Sequence, residues 1–237
     1  MSSITFPEIG SIRRQPDGSY HVGPIDYLGG PFKTATEFFK AWAARKPSRT
    51  LNTKGIISAC GGPGPVAEEC LQSMREFLDQ LAKLLAKGPL DAEFDTGPFP
   101  LRHTDLGIHN ILFDDEWNIL SVIDWEFAIA APWEMVCQSM VLSHESRTIW
   151  PIFYTETGAP RDEDVQESLD DQAYFLARIK HWEKELGVVD ALSKVMSSEK
   201  MRDLAEAFKN FEEFRYGRPG FYLRMLRAHF GDRMEDF

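Results

Sequence analysis

Between positions 103 and 126 the chain reads His103-Thr-Asp105-Leu-Gly-Ile-His-Asn110 and then, beyond two short apolar runs, Ile123-Asp124-Trp125-Glu126. These residue types at this spacing suit one chemistry. Phosphoryl transfer from ATP needs a carboxylate that orients an acceptor hydroxyl and takes its proton. It also needs an Asn and a second carboxylate to hold Mg²⁺ against the phosphate oxygens. Asp105, Asn110 and Asp124 are residues of the types these tasks require. The runs Asn110-Ile-Leu-Phe and Ile119-Leu-Ser-Val-Ile, separated by polar Asp114-Asp-Glu-Trp-Asn118, predict a β-hairpin. Such a hairpin returns the chain on itself and brings Asp124 within reach of Asp105 and Asn110.

The elements that must hold this block are mostly helical. Thr34 or Thr36 is expected to cap a helix running to about Ala44, with Phe38, Phe39 and Trp42 on its apolar side and Pro47 ending it. Residues 55–65 read as a flexible connection. The spacing of Leu71, Met74, Phe77, Leu78, Leu81, Leu84 and Leu85 predicts a long amphipathic helix from Val66 to Ala86, stopped by Gly88-Pro89. Further helices are expected near 133–143, 163–185, 199–214 and 219–230, with an irregular stretch at 144–161. Residues 1–33, punctuated by Pro7, Gly10, Asp17-Gly18, Gly23-Pro24 and Gly29-Gly30-Pro31, read as an irregular arm with one small hairpin whose strand is Ser19–Val22. The expected fold class is mainly α (α+β): helices around a catalytic loop and a small β-hairpin. One domain is expected over 1–237, with the arm at 1–33 and a helical catalytic lobe at 34–237.

Composition narrows the function. The 237 residues include 26 Lys+Arg against 37 Asp+Glu, a net charge of −11, which argues against nucleic acid as a partner. Three cysteines, Cys60, Cys70 and Cys137, are too few for a disulfide framework. The start, Met1-Ser-Ser-Ile-Thr-Phe-Pro, lacks the pattern of a signal peptide, and no apolar run is long enough to span a bilayer. A cytoplasmic protein without a membrane partner is the expectation. Gly61-Gly-Pro-Gly-Pro65 makes a poor phosphate cradle, because Pro63 and Pro65 have no N–H to offer. Ser143-His144-Glu145 lacks the elbow of a hydrolase nucleophile. His109 reads as a solvated loop histidine, Trp125 as core packing, Glu126 as a candidate substrate contact, and Asp114 and Asp115 as turn residues. Trp133, Phe211, Phe214, Phe221 and Tyr222 fall at helical spacing and read as core.

The segments HTDLGIHNIL and VIDWEFA resemble the C-terminal lobe of the aminoglycoside phosphotransferase and choline-kinase-like family, its fungal members in particular. Phe6-Pro-Glu-Ile-Gly-Ser-Ile, Asp17-Gly-Ser and Gly29-Gly-Pro-Phe resemble the segment that precedes that lobe's helices. The resemblance runs from about residue 5 to 230. It implies a protein-kinase-like C-lobe, Mg²⁺ and ATP as cofactors, and a hydroxyl of a small molecule as acceptor. It assigns Asp105 as catalytic base, Asn110 and Asp124 as magnesium ligands, and His103 as the support of the catalytic loop. Family members carry an N-terminal lobe with a phosphate-covering loop and a strand Lys. No Val-Ala-x-Lys strand precedes residue 99, Lys54 being the nearest candidate, so a C-lobe without a recognisable N-lobe is expected. Its exposed lobe interface would then serve self-association or a partner protein. Two alternatives to an active kinase follow: a non-catalytic C-lobe remnant that binds a ligand or protein, and a truncated fragment of a full-length kinase.

Overall fold

The computed structural model describes residues 3–26, 28–44, 53–137, 147, 151–212 and 221–234. Its organising element is a five-stranded antiparallel sheet built from β1 (Thr5–Phe6), β2 (Gly10–Arg14), β3 (Tyr20–Gly23), β4 (Phe99–Arg102) and β7 (Ile129–Ala130), in the order β1-β4-β7-β2-β3. The first 33 residues are therefore more regular than expected. The Asp17-Gly18 turn does join a hairpin, β2 to β3 with Arg14 opposite Tyr20, but the same segment also contributes β1. The difference has a physical reason: two-residue strands are too short to show alternation, and only pairing with distant β4 and β7 makes them strands.

Strands β4 and β7 pair in antiparallel register, Leu101 opposite Ala130 and Arg102 opposite Ile129. Everything between them, residues 103–128, is thus a loop closed at the end of the sheet. It contains a 3₁₀ turn at Ile108–Asn110 and a separate hairpin of β5 (Ile111–Phe113) and β6 (Ile119–Val122), as the apolar runs predict. Asp114 fixes the hairpin turn: its Oδ1 accepts from the Asn118 N–H at 2.8 Å and the Glu116 N–H at 3.0 Å, and its Oδ2 from the Asn118 side-chain amide at 2.9 Å. The Asn118 amide, followed by its backbone N–H, holds the Asp114 carboxyl below its ordinary range.

Helices enclose the other side. α1 (Ala35–Ala44) begins where Thr34 Oγ1 accepts from the Glu37 N–H at 3.0 Å, so Thr34 is the cap. Thr36 instead donates its N–H and its hydroxyl to Asp95 Oδ1. α2 (Thr53–Ala59) occupies much of the expected flexible connection, which shrinks to residues 60–64. The apolar face of α2 buries Ile56, an anchor that the glycines on either side obscure in the sequence. α3 (Pro65–Lys87) matches the long amphipathic helix, with Pro65 in its first turn. Arg233 donates to the carbonyls of Leu84, Gly88 and Pro89 at 2.7–2.9 Å and satisfies the end of α3. α4 (Glu163–Leu186), α6 (Glu199–Glu212) and α7 (Phe221–Phe230) follow the expected helices, and α5 (Ala191–Ser197) is an additional one. In place of the helix expected at 133–143, a 3₁₀ turn spans Trp133–Met135; residues 138–146 lie outside the described residues, as do Pro47, Ser143-His144-Glu145 and Phe214.

The core lies where α1, α3, α6 and α7 meet. Phe39 stacks on Phe208 at 4.6 Å, Trp42 meets Phe208 at 5.1 Å edge-on, and Phe77 stacks on Tyr222 at 4.7 Å. Trp133, Phe211 and Tyr222 are buried as expected. No helix among the described residues is long and apolar enough to cross a membrane.

Glu134 sits in this interior with 0% exposure, and neither carboxyl oxygen has a well-formed hydrogen bond. Burial pushes its carboxyl up to about 8; its own backbone N–H and Lys200 pull weakly the other way, and Asp91 and Asp95 add to the rise. The unfolded chain ionises Glu134 near 4.5 while the folded chain keeps the proton. This group's contribution to stability is therefore whole below about 4.5 and is lost as the pH climbs to about 8. Glu134→Gln removes the titration. In urea unfolding the variant is expected to match the wild type near pH 4.5 and to exceed it at pH 8 by a few kcal/mol. Parallel pH profiles for the two proteins would refute this account.

Candidate active site

His103 leaves the end of β4 already buried, and its ring is held at both nitrogens. Nδ1 lies 3.2 Å from the Asp105 N–H, and Nε2 lies 2.9 Å from the Ile123 carbonyl. A backbone N–H can only donate, so Nδ1 is the acceptor and the ring proton sits on Nε2, donating to Ile123 O. The Trp125 ring packs edge-on against His103 at 4.9 Å.

Asn110 is also buried, at the end of the 3₁₀ turn, where its N–H donates to Gly107 O at 2.9 Å. Its side-chain amide donates to the Asp105 carbonyl at 2.8 Å and reaches Asp105 Oδ2 at 3.5 Å. The Asn110 carbonyl accepts from the Ile123 N–H at 2.9 Å. The peptide groups of Ile123 thus receive one bond from His103 and give one to Asn110. Asp124 follows directly, in the left-handed region at φ 60°, and Phe127 repeats that conformation at 64°. Aspartate tolerates this region; phenylalanine rarely enters it. The turn between them is tied by Trp125 Nε1–H to Val122 O at 2.8 Å and by the Ala128 N–H to Trp125 O at 3.1 Å.

The carboxylates themselves face outward. The Asp105 side chain is 74% exposed, and His109 Nε2 lies 3.4 Å from its Oδ2. His109 is solvated, as expected, but it leans back toward Asp105. Gly107 permits this, because a Cβ there would stand 2.2 Å from the imidazole. Asp124 and Glu126 are exposed. Trp125 is not core: it is 38% exposed and serves as a wall on His103. The loop therefore joins His103, Asp105 and Asn110 directly and joins Asp124 through its neighbour Ile123. The role of Ile123 lies in its backbone, and nothing in an isoleucine within an apolar run signals it. Gly107, two residues before His109, was a readable signal. No group of three or more His, Cys, Asp or Glu residues suited to a metal ion occurs among the described residues.

A model of the phosphotransferase enzyme family (APH) matches residues 49–134. The matched stretch includes His103, Asp105, Asn110 and Asp124 and supports kinship with the aminoglycoside phosphotransferase, kinase-like family. The half-helical chain with its curled antiparallel sheet is compatible with an α+β kinase-like fold. Neither the curated proteins nor the solved structures include a match.

The wiring makes a distinction that can be measured. His103→Ala strands a buried N–H and a carbonyl, and is expected to cost about 1–3 kcal/mol in urea unfolding. His109→Ala, in an exposed side chain, is expected to stay within about 0.5 kcal/mol of wild type. Equal losses would show that His103 is not the loop's anchor.

Proposed function

We propose that the chain is a phosphotransferase that moves a phosphoryl group from Mg²⁺·ATP to a hydroxyl of a small molecule, in the manner of the aminoglycoside phosphotransferase and choline-kinase-like family. The carrying observation is the closed ring of bonds in which His103, Asp105 and Asn110 share one loop with the Ile123-Asp124 peptide. The donor set is chemically suited to Mg²⁺: the carboxylate of Asp124 and the amide oxygen of Asn110 are hard oxygen ligands. A magnesium ion held by one or two side chains together with phosphate oxygens needs no preformed cage of carboxylates. When bound, Mg²⁺·ATP supplies the phosphoryl group and neutralises charge on its oxygens.

Each residue of the chain then has a task. Asp105, open to solvent, accepts the proton of the acceptor hydroxyl and orients its oxygen. Asn110, through the hydrogen bond that its side-chain amide donates to the Asp105 carbonyl, fixes the backbone from which that carboxylate projects. His103 positions the loop and touches no reacting atom. The net charge of −11 leans toward a cationic acceptor.

Thermal unfolding with and without Mg²⁺·ATP tests the reading. Ligand at ~100 times its dissociation constant stabilises by about 2.7 kcal/mol, a rise of roughly 5–10 °C for a chain of this length. That rise is expected in the wild type and is expected to vanish in Asp124→Asn, whose ligand-free midpoint stays unchanged. A wild type that does not respond would end the proposal.

One observation favours a second reading, a non-catalytic module that binds a protein. The hairpin beside the loop exposes Leu112, Ile119 at 65% and Leu120 at 67%, and the turn that follows it exposes Phe127 at 75%. Exposed large apolar side chains in such number are a feature of interaction surfaces. On this reading sedimentation velocity shows association that grows with concentration and disappears in Leu120→Lys. A monomer at every concentration that responds to Mg²⁺·ATP supports the enzyme.

A further inference from the structure

Of the 24 residues of α4, only Val165 and Glu183 are buried. The helix is nonetheless well defined at both ends: Asp162 Oδ1 accepts from the Val165 N–H at 3.0 Å, and Gly187 takes the left-handed conformation at φ 61°. Val165 and Glu183, with half-buried Leu169, Leu176 and Ile179, form its inward face, whose main neighbour is α5. The opposite face carries Tyr174, Phe175, Trp182 and Leu186, all exposed, Tyr174 at 68% and Trp182 at 51%. With Asp171 and Arg178 they recur every three or four positions and so make one stripe. The Arg178 guanidinium lies over the Trp182 ring at 5.6 Å and the His181 ring meets it edge-on at 5.3 Å, which orders the indole within the stripe. Charge is divided along the helix. Residues 163–173 hold five acidic side chains and no basic one, and Arg178, Lys180 and Lys184 follow.

We propose that this stripe is a self-association surface, on which two copies of the chain pair their α4 helices antiparallel about a two-fold axis between positions 174 and 175. A two-fold interface is self-complementary: where one residue meets a second, the second meets the first. Tyr174 then faces the partner's Phe175, and Phe175 the partner's Tyr174. Asp171 faces the partner's Arg178, and Arg178 the partner's Asp171. The charges select this arrangement over its neighbours. Moving the axis one turn toward either end sets Asp171 against the partner's Asp171 or Arg178 against the partner's Arg178, and a parallel pairing sets like against like throughout. Asp164 and Glu185, which carry like charge toward the two ends, are held apart because packed helices cross at an angle and diverge from the crossing point. The aromatic rings supply the attraction, and the exposed ion pairs, each weak, fix the register. A helix of this length is about 36 Å long at 1.5 Å per residue. A strip of that size is smaller than a standard protein interface, so a dimer that dissociates in the micromolar range is expected.

Sedimentation velocity of the full chain across micromolar concentrations tests the pairing. The wild type is expected to pass from monomer to dimer as the concentration rises. Asp171→Arg and Arg178→Asp each turn two attractive pairs into two repulsive ones, and each is expected to weaken the dimer about tenfold or more. Both side chains are exposed, and circular dichroism checks that the helices are retained. An equimolar mixture of the two single variants restores opposite charges at both pairs, so it is expected to form the dimer that neither forms alone. The double variant Asp171→Arg/Arg178→Asp is expected to regain it as well. Leu120→Lys, on the hairpin, is expected to leave this association intact, which separates it from association through the hairpin. A wild type that stays monomeric at every concentration, association lost in Leu120→Lys, or single variants that fail to pair when mixed would each overturn the proposal.

Discussion

The pairing of Arg102 with Ile129 is the constraint on which the candidate site rests. It closes residues 103–128 at one end of the sheet's inner strands and so converts a long irregular segment into a loop with fixed ends. Because β7 has only two residues, its hold depends on neighbours on both sides: β4 on one, and β2 on the other through Gly10 opposite Ala130 and Ser11 opposite Ile129. Gly10 shows how close that packing is, since a Cβ there would stand 2.3 Å from the Gly23 carbonyl oxygen. Residues near the start of the chain thereby support a loop about ninety positions later. Their effect on the site passes through strand register, and no contact with Asp105 or Asp124 is needed for it.

Inside that frame the loop orders itself by backbone bonds. Each net hydrogen bond contributes about 1 kcal/mol, while leaving one of its buried groups unpaired costs about 1–3 kcal/mol. The ring through His103, Asp105, Asn110 and Ile123 is therefore cooperative: losing one member strands the next. The interior beyond β7 works by a different balance. Trp133 donates its Nε1–H to Pro98 O at 3.1 Å and so fastens the turn after β7 to the entry of β4. The same turn carries Glu134 into the core beside Trp133 and Met135, where its carboxyl is kept protonated by burial. The turn thus gains its anchoring from Trp133 and loses stability with rising pH through its neighbour.

Several of these features were legible in the sequence, for physical reasons. α1 and α3 have apolar residues every three or four positions, Thr34 is a cap of the preferred type, and Pro65 and Gly88 bracket α3. The β5–β6 hairpin has a polar turn between apolar runs. The spacing of His103, Asp105 and Asn110 placed them in one loop because all three lie within a single turn-rich segment. The rest depends on distant partners. β1 is a strand only because Thr5 and Phe6 meet Pro100 and Phe99, and β7 only because Ala130 meets Leu101 on one side and Gly10 on the other. Trp125 has the composition of a core residue but stands at an edge, where the hairpin ends and the chain enters the left-handed region. α2 hides between glycines, and its helix is held by burial of Ile56 more than by propensity.

The hairpin itself is the least supported element by packing. An isolated two-stranded hairpin is marginal in water, and here its residues are half-buried at most. What holds it is at its ends: the Asp114 turn and the Phe113–Trp117 ring contact at 5.8 Å at the tip, and Ile123 with the Trp125 indole at the base. The positive φ values of Asp124 and Phe127 fall at that base, where the ring of bonds can sustain a conformation that each residue alone would avoid. An element fixed at both ends and open along its length keeps its apolar side chains in place without burying them. Covering them releases roughly 25 cal/mol for each Å² taken from water.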